Sequence, residues 1–119
     1  MRSFTEIGDL SNQKLVLLFT DRAEKGEGEG RALNIFRKEV LPEIGVSIKD
    51  IDVAICWANV GGILSQSDLS DYLKKRNLRG CGCFLLRNGE IIQHRMLGRF
   101  VALPKQYIQA AGEILEDHR

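Results

Sequence analysis

The dipeptide Asn88-Gly89 constrains the fold of this 119-residue chain more than any other short segment. It separates two segments of period-2 character, CGCFLLR before it and EIIQHRML after it. Asn-Gly is a preferred pair for a two-residue turn between antiparallel strands, because both positions of that turn need a positive φ. The sequence therefore predicts a β-hairpin in its C-terminal third.

The N-terminal half predicts a strand, a helix and a second strand. The segment Lys14–Thr20 is continuously apolar, which is typical of a central strand that is covered on both faces. Apolar residues then recur at helical spacing between positions 32 and 40, and the helix should end between Pro42 and Gly45. Asp50–Val60 is β-branched and predicts the second strand. Because a helix joins the two strands, they should be parallel.

Two more helices complete the predicted order β-α-β-α-β-β-α. One starts near Ser65, where Ser65 and Asp68 resemble a capping box, and the other starts at Pro104. Gly112, inside the last helix, predicts close packing there. This order predicts a single α/β domain over residues 1–119, with a mixed four-stranded sheet between helices. The last helix should bury Tyr107, Ile108, Ala111 and Leu115.

Composition excludes some classes of protein. Hydrophobic residues make up 44% and charged residues 28% of the chain, as in a globular domain. The longest apolar run, LVLLF, is far shorter than the ~20 residues of a membrane span, and the N-terminus has no apolar export signal. The three cysteines are an odd number. We therefore expect a cytoplasmic protein with reduced thiols and no membrane partner.

The charge distribution is uneven although the net charge is only +1. Residues 74–105 carry eight basic residues and one acid, Glu90. A basic surface for an anion or for nucleic acid is one interpretation. The aromatic–basic interleaving that single-strand binders use does not appear, which argues against nucleic acid, so we expect the charges to scatter over solvated faces. The residues that would form the basic surface are Lys74, Lys75, Arg76, Arg79 and Arg99.

Cys81 and Cys83 are the candidate chemical groups. On a strand they point to the same face, and their Cα atoms are near the ~7 Å limit for a disulfide, so a direct bridge would be strained. A zinc site usually needs four ligands and this pair supplies two. The histidines His94 and His118 have no ligand-like spacing to the third cysteine, Cys56, so we predict no metal. His94 is expected to be an exposed strand residue, and Cys56 a core residue.

The element order and the C-terminal third resemble the thioredoxin-like superfamily. Leu78-Arg79-Gly80 stands where that family has Val-Arg-Gly, and Asn88-Gly89-Glu90 matches its hairpin turn. The residue matches cover about positions 72–115. This resemblance implies a three-layer α/β/α sandwich. The redox motif C-x-x-C would fall in the loop Asp21–Arg31, which has no cysteine, and the cis-proline would fall near Gly82, so dithiol exchange is not carried over.

The resemblance also places Cys81 beside the start of the first helix, near Gly28–Arg31. A helix N-terminus and Arg31 would favour a thiolate there, and Arg31 with Arg79 could contact an anion or a partner. Two functions follow. One is a non-catalytic interaction or regulatory module without a cofactor, which binds a protein partner or itself through a sheet edge. The alternative is a thiol-based redox protein or sensor, with Cys81 reactive and Cys83 resolving.

Overall fold

The described part of the chain is a four-stranded mixed sheet with two helices packed on one face. A computed structural model describes residues 15–21, 33–45, 48, 51–57, 75–78, 80–88, 90–98 and 102–118. The predicted helix near Ser65 and most of the loop after Asp21 lie outside these residues. Neither described helix is long and apolar enough to cross a membrane. The elements are β1 (Val16–Asp21), α1 (a π turn Phe36–Val40 and an α turn Leu41–Ile44), β2 (Asp52–Trp57), β3 (Cys81–Arg87), β4 (Glu90–Gly98) and α2 (Pro104–His118).

The strands lie in the order β2-β1-β3-β4. β1 and β2 are parallel, with Val16 opposite Asp52, whereas β3 is antiparallel to both β1 and β4. The predicted parallel pair and the predicted hairpin are therefore confirmed. Asn88 has a φ of 52°, as the tight turn requires. Asp21 was placed in the loop by the sequence pattern, but it is the last residue of β1.

Both faces of the central strands are buried. Leu17 and Phe19 face the helices. The Phe19 ring is tilted against that of Phe36, with 5.2 Å between centroids, and meets that of Tyr107 edge to face, with 5.8 Å between centroids. The continuous apolar sequence of β1 is explained by burial on the other face as well. The buried residues on that other face of β1 and β3 are Val16, Leu18, Phe84 and Leu86.

α1 contains a wide turn because of its proline. Pro42 has no amide proton, and its ring would clash with the Lys38 carbonyl in a regular α-helix. The residues just before it form a π turn, in which the Leu41 amide donates to the Phe36 carbonyl five residues back. The helix therefore passes Pro42 and reaches Ile44, as the sequence predicted for its end.

α2 begins at Pro104, as predicted, and buries one face against the sheet. Of the four residues predicted for that face, Tyr107, Ala111 and Leu115 are buried and Ile108 is half-buried. The prediction of close packing at Gly112 is wrong. Gly112 is exposed, and a Cβ atom added to it would meet nothing within 4 Å.

Candidate functional site

Both candidate cysteines are inside the protein. Cys81 and Cys83 are each 0% exposed, belong to the core cluster under the two helices and form no disulfide. Cys81 is the first residue of β3 and lies beside the carboxyl end of β1, where Thr20 is opposite Gly82. Arg31 and Arg79 lie outside the described residues, as do Gly28–Arg31, so the predicted approach of Cys81 to that segment stays a prediction.

The Cys81 thiol belongs to a group of hydrogen-bonded side chains that we call the Asp21 cluster: Thr20, Asp21, Cys81 and Tyr107. Cys81 Sγ donates to Asp21 Oδ1 at 3.3 Å. Tyr107 Oη lies 2.8 Å from the Thr20 carbonyl oxygen and 3.1 Å from Asp21 Oδ1. Its single proton can therefore be donated to either oxygen. On the other side of β1, Thr20 Oγ1 donates to the Gly80 carbonyl at 2.8 Å.

The elements around the cluster fix each of its members. Asp21 ends the apolar strand β1, so its carboxylate meets the first buried residue of β3. Tyr107 is in the first turn of α2, and its ring packs at 4.7 Å from that of Phe36. Gly80 enters β3 with a φ of 104°, a backbone conformation that a side chain would strain. The cluster thus joins β1, β3 and α2 at one edge of the core.

Burial keeps the acidic protons of this region in place. Burial is the largest cause of the raised pKa of Tyr107, and the charge of Asp21 and the hydrogen bonds with Cys81 and Asp21 raise it further. Burial likewise raises the pKa of Cys83, partly offset by a hydrogen bond with the backbone of Phe84. Both groups are therefore protonated at neutral pH. Ionising Cys81 would place a second negative charge beside the Asp21 carboxylate, which is unfavourable in a buried site.

Gly82 fills the position where the family resemblance places a cis-proline. The described peptide bonds are all trans. A Cβ atom on Gly82 would lie 3.0 Å from Met96 Sδ and 3.2 Å from both the Arg95 carbonyl oxygen and Phe84 Cε2. The sheet is also irregular there, with a register shift between Cys81 and Gly82. The side chains of Met96 and Phe84 thus close over the glycine.

Of the other sequence candidates, those that the structure describes do not join this cluster. His94 is exposed on β4, as predicted, and its ring stacks on Phe84 at 6.1 Å between centroids. Lys75 and Arg76 are exposed, and the other three residues of the predicted basic surface are outside the described part. No group of three metal-binding side chains occurs among the described residues. The side chain of Cys56 lies outside the described part, so its place in the core stays a prediction.

Asp21 and Tyr107 are the residues that sequence reasoning missed as members of this site. A weak signal was available for each of them. Asp21 is an acid directly after an apolar strand, and Tyr107 is a residue with a polar end on a helix face that had to be buried. Neither signal says that the two side chains meet, because they are 86 residues apart in the chain.

Comparison with protein-family models, with curated proteins and with solved structures finds no match to this chain. The function proposed below therefore rests on the sheet topology and on the geometry of the Asp21 cluster.

Proposed function

We propose that this chain is a non-catalytic interaction module with a thioredoxin-like fold. Two parallel strands followed by a closing antiparallel hairpin, all in one sheet, support the fold assignment. So does a last helix packed against that hairpin. The three-layer sandwich also requires a helix on the opposite face, and the helix predicted near Ser65 lies outside the described residues.

The observation that carries the functional proposal is the burial of both β3 thiols. A thiol that exchanges with substrates must be ionised and accessible. Cys81 has no exposed surface and its thiol donates a hydrogen bond to Asp21, and burial raises the pKa of Cys83. The cluster therefore has a structural role, because it holds the end of β1 against β3 and α2. The function that we assign to the chain is binding.

Thiol alkylation of the folded protein tests this proposal. The protein is treated with iodoacetamide between pH 6 and 9, and modification of Cys81 and Cys83 is followed by peptide mass spectrometry. We expect both cysteines to react at least ~100-fold more slowly than in the same chain unfolded in guanidinium, because alkylation requires local opening. Cys81→Ser and Cys83→Ser variants, checked for folding by circular dichroism, assign the signals.

A catalytic role makes the opposite prediction. Fast alkylation of Cys81 in the folded protein, with a thiolate already present at neutral pH, would overturn the proposal. So would reduction of a disulfide substrate that is lost in Cys81→Ser. Either result would favour the redox alternative, in which Cys81 reacts and Cys83 resolves the mixed disulfide.

A further inference from the structure

β4 is one of the two outer strands of the described sheet, and one of its faces is exposed. It has nine residues, and the side chains at alternate positions are exposed along its whole length. Two of these are large and apolar: Ile92 is 40% and Met96 37% exposed. Outer strands often carry proline or lysine, which discourage pairing with another chain. β4 contains neither.

Arg95 is bonded in a way that marks the outer edge of β4. Its Nη1 donates to the carbonyl oxygen of the preceding residue, His94, at 2.9 Å. Its Nη2 donates to Asp117 on α2 at 3.1 Å, and its Nε lies 3.6 Å from Glu113. A strand carbonyl that accepts a hydrogen bond from an exposed side chain fits the edge of the strand that faces away from its neighbour, so the His94 carbonyl is placed on the side of β4 opposite β3.

Gln93 supplies a second and independent observation. Its side-chain Oε1 is buried and has no hydrogen-bond partner among the described residues. Such an orphan acceptor destabilises a folded chain, so a native structure that contains one needs an explanation. A donor supplied by another chain would remove the cost once the Gln93 side-chain amide turns toward the edge of the strand.

We infer that β4 binds β4 of a second copy of this chain, antiparallel and centred on His94. This inference rests on the proposed binding role and names the partner. In this register Ile92 of one copy faces Met96 of the other, and Gln93 faces Arg95. The two His94 residues exchange backbone hydrogen bonds. In the single chain, the Arg95 guanidinium donates to the His94 carbonyl. In the dimer it lies opposite Gln93 Oε1 of the other copy, so it can donate to this unpaired acceptor.

Other registers satisfy fewer groups. If one copy shifts by four residues so that Ile92 faces itself, Gln93 faces Ile91 and its oxygen still lacks a donor. A shift by one residue would turn the faces over and bring exposed side chains of one copy against the helix side of the other. Pairing of a single strand buries less area than the ~1,200–2,000 Å² of a standard interface, so the dimer should dissociate on dilution.

Charge substitutions in β4 test the dimer. Sedimentation equilibrium from about 1 µM to about 1 mM should show the mass of the wild-type chain rising from monomer to dimer. The double variant Ile92→Lys/Met96→Lys should stay monomeric, because two pairs of like charges face each other. The variant Ile92→Glu/Met96→Lys should dimerise again, because opposite charges now face each other. Ile35→Lys, at a residue 42% exposed on the helix between β1 and β2, is the control and should leave the dimer intact.

Disulfide trapping tests the register. His94→Cys should form a covalent dimer under mild oxidation, because the paired Cα atoms would be about 5.5 Å apart. Ile92→Cys should not, since its two copies would be about 13 Å apart along the strand. Wild-type protein, with its buried Cys81 and Cys83, gives the background.

Three results would overturn this inference: a monomer at every concentration, a dimer that is unaffected in Ile92→Lys/Met96→Lys, or stronger trapping of Ile92→Cys than of His94→Cys. A monomer whose Cys81 is unreactive would overturn the dimer and leave the non-catalytic role standing. A dimer whose Cys81 reacts rapidly would overturn the non-catalytic role. The two proposals can thus fail separately.

Discussion

β3 and β4 are neighbouring strands of one hairpin with opposite surroundings. From Cys81 to Leu86 every residue of β3 is buried, whereas exposed and half-buried residues alternate along β4. The two strands are paired nearly throughout, so their environments differ only because β3 lies between β1 and β4 and β4 lies outermost. Position in the sheet decides burial here, and adjacency in sequence does not.

The buried strand β3 can contribute to packing, and the partly exposed strand β4 can contact another molecule. The thiols, which are the most reactive groups of the hairpin by chemical type, are on the enclosed strand, where they stabilise the core. The groups that another molecule can reach are on β4, which carries no cysteine. An accessible function of the hairpin therefore belongs to β4.

The largest expected contrast is between Phe84 and His94, which are register partners with stacked rings. Phe84→Ala should lower the free energy of unfolding by about 3–5 kcal/mol, because it removes a fully buried ring. His94→Ala removes an exposed ring and should cost less than about 1 kcal/mol. Urea unfolding followed by circular dichroism measures both. Equal losses would show that the two strands are equally enclosed.

Two glycines provide the next contrast. Gly82→Ala should destabilise the fold by about 1–3 kcal/mol, because the new methyl group meets the Arg95 carbonyl and the Phe84 ring. Gly112→Ala should stabilise it by about 0.5–1 kcal/mol, since an exposed helical glycine gains nothing from its flexibility. Thermal unfolding of the two variants shows whether each substitution raises or lowers the stability of the fold. A stabilising Gly82→Ala would mean that Met96 and Phe84 do not close over this position.

The burial of Cys83 and Tyr107 should make stability depend on alkaline pH. Folding raises the pKa of Cys83 above its ordinary 9.0 and that of Tyr107 above 10.0. The folded chain therefore holds these protons where the unfolded chain loses them. Their contribution to the free energy of unfolding is fully present below about pH 9. It falls as the pH rises further, by up to about 1.4 kcal/mol per pH unit for each group.

The variant Tyr107→Phe isolates the tyrosine in that pH profile. At pH 7 it should cost about 1–2 kcal/mol, because the Thr20 carbonyl and Asp21 lose a buried donor. Above pH 10 the gap to wild type should shrink, since the variant has no phenol to ionise. A gap that stays constant to pH 11, measured by urea unfolding, would contradict the burial of this hydroxyl group.

The smallest effect is expected at Arg95, on the side of β4 that faces α2. Arg95→Gln removes ion pairs with Glu113 and Asp117, whose side chains are 48% and 58% exposed. Exposed pairs contribute little, so the monomer should lose less than about 1 kcal/mol, and less still at high salt. Unfolding should be measured at low protein concentration, with Glu113→Gln as the matched control. A loss above 2 kcal/mol would mean that Arg95 belongs to the core.

Local patterns were enough to predict most of the hairpin and helices. Asn88-Gly89 predicted the turn because that pair tolerates positive φ, and Pro104 predicted the start of α2 because it fits a first helical turn. The apolar run from Leu15 to Phe19 predicted a strand buried on both faces. Each of these signals acts between residues that are close in sequence, so a reader of the sequence can see it.

Tertiary structure alone decided which side chains meet. Cys81 is 60 residues from Asp21, and Tyr107 is 86 residues from it, and only the strand order and the docking of α2 bring the three together. The same holds for Phe84 and His94, whose different burial depends on which strand lies outermost, and for Gly112, which faces solvent. Periodicity in a sequence fixes the two faces of an element, but what covers each face depends on contacts between distant parts of the chain.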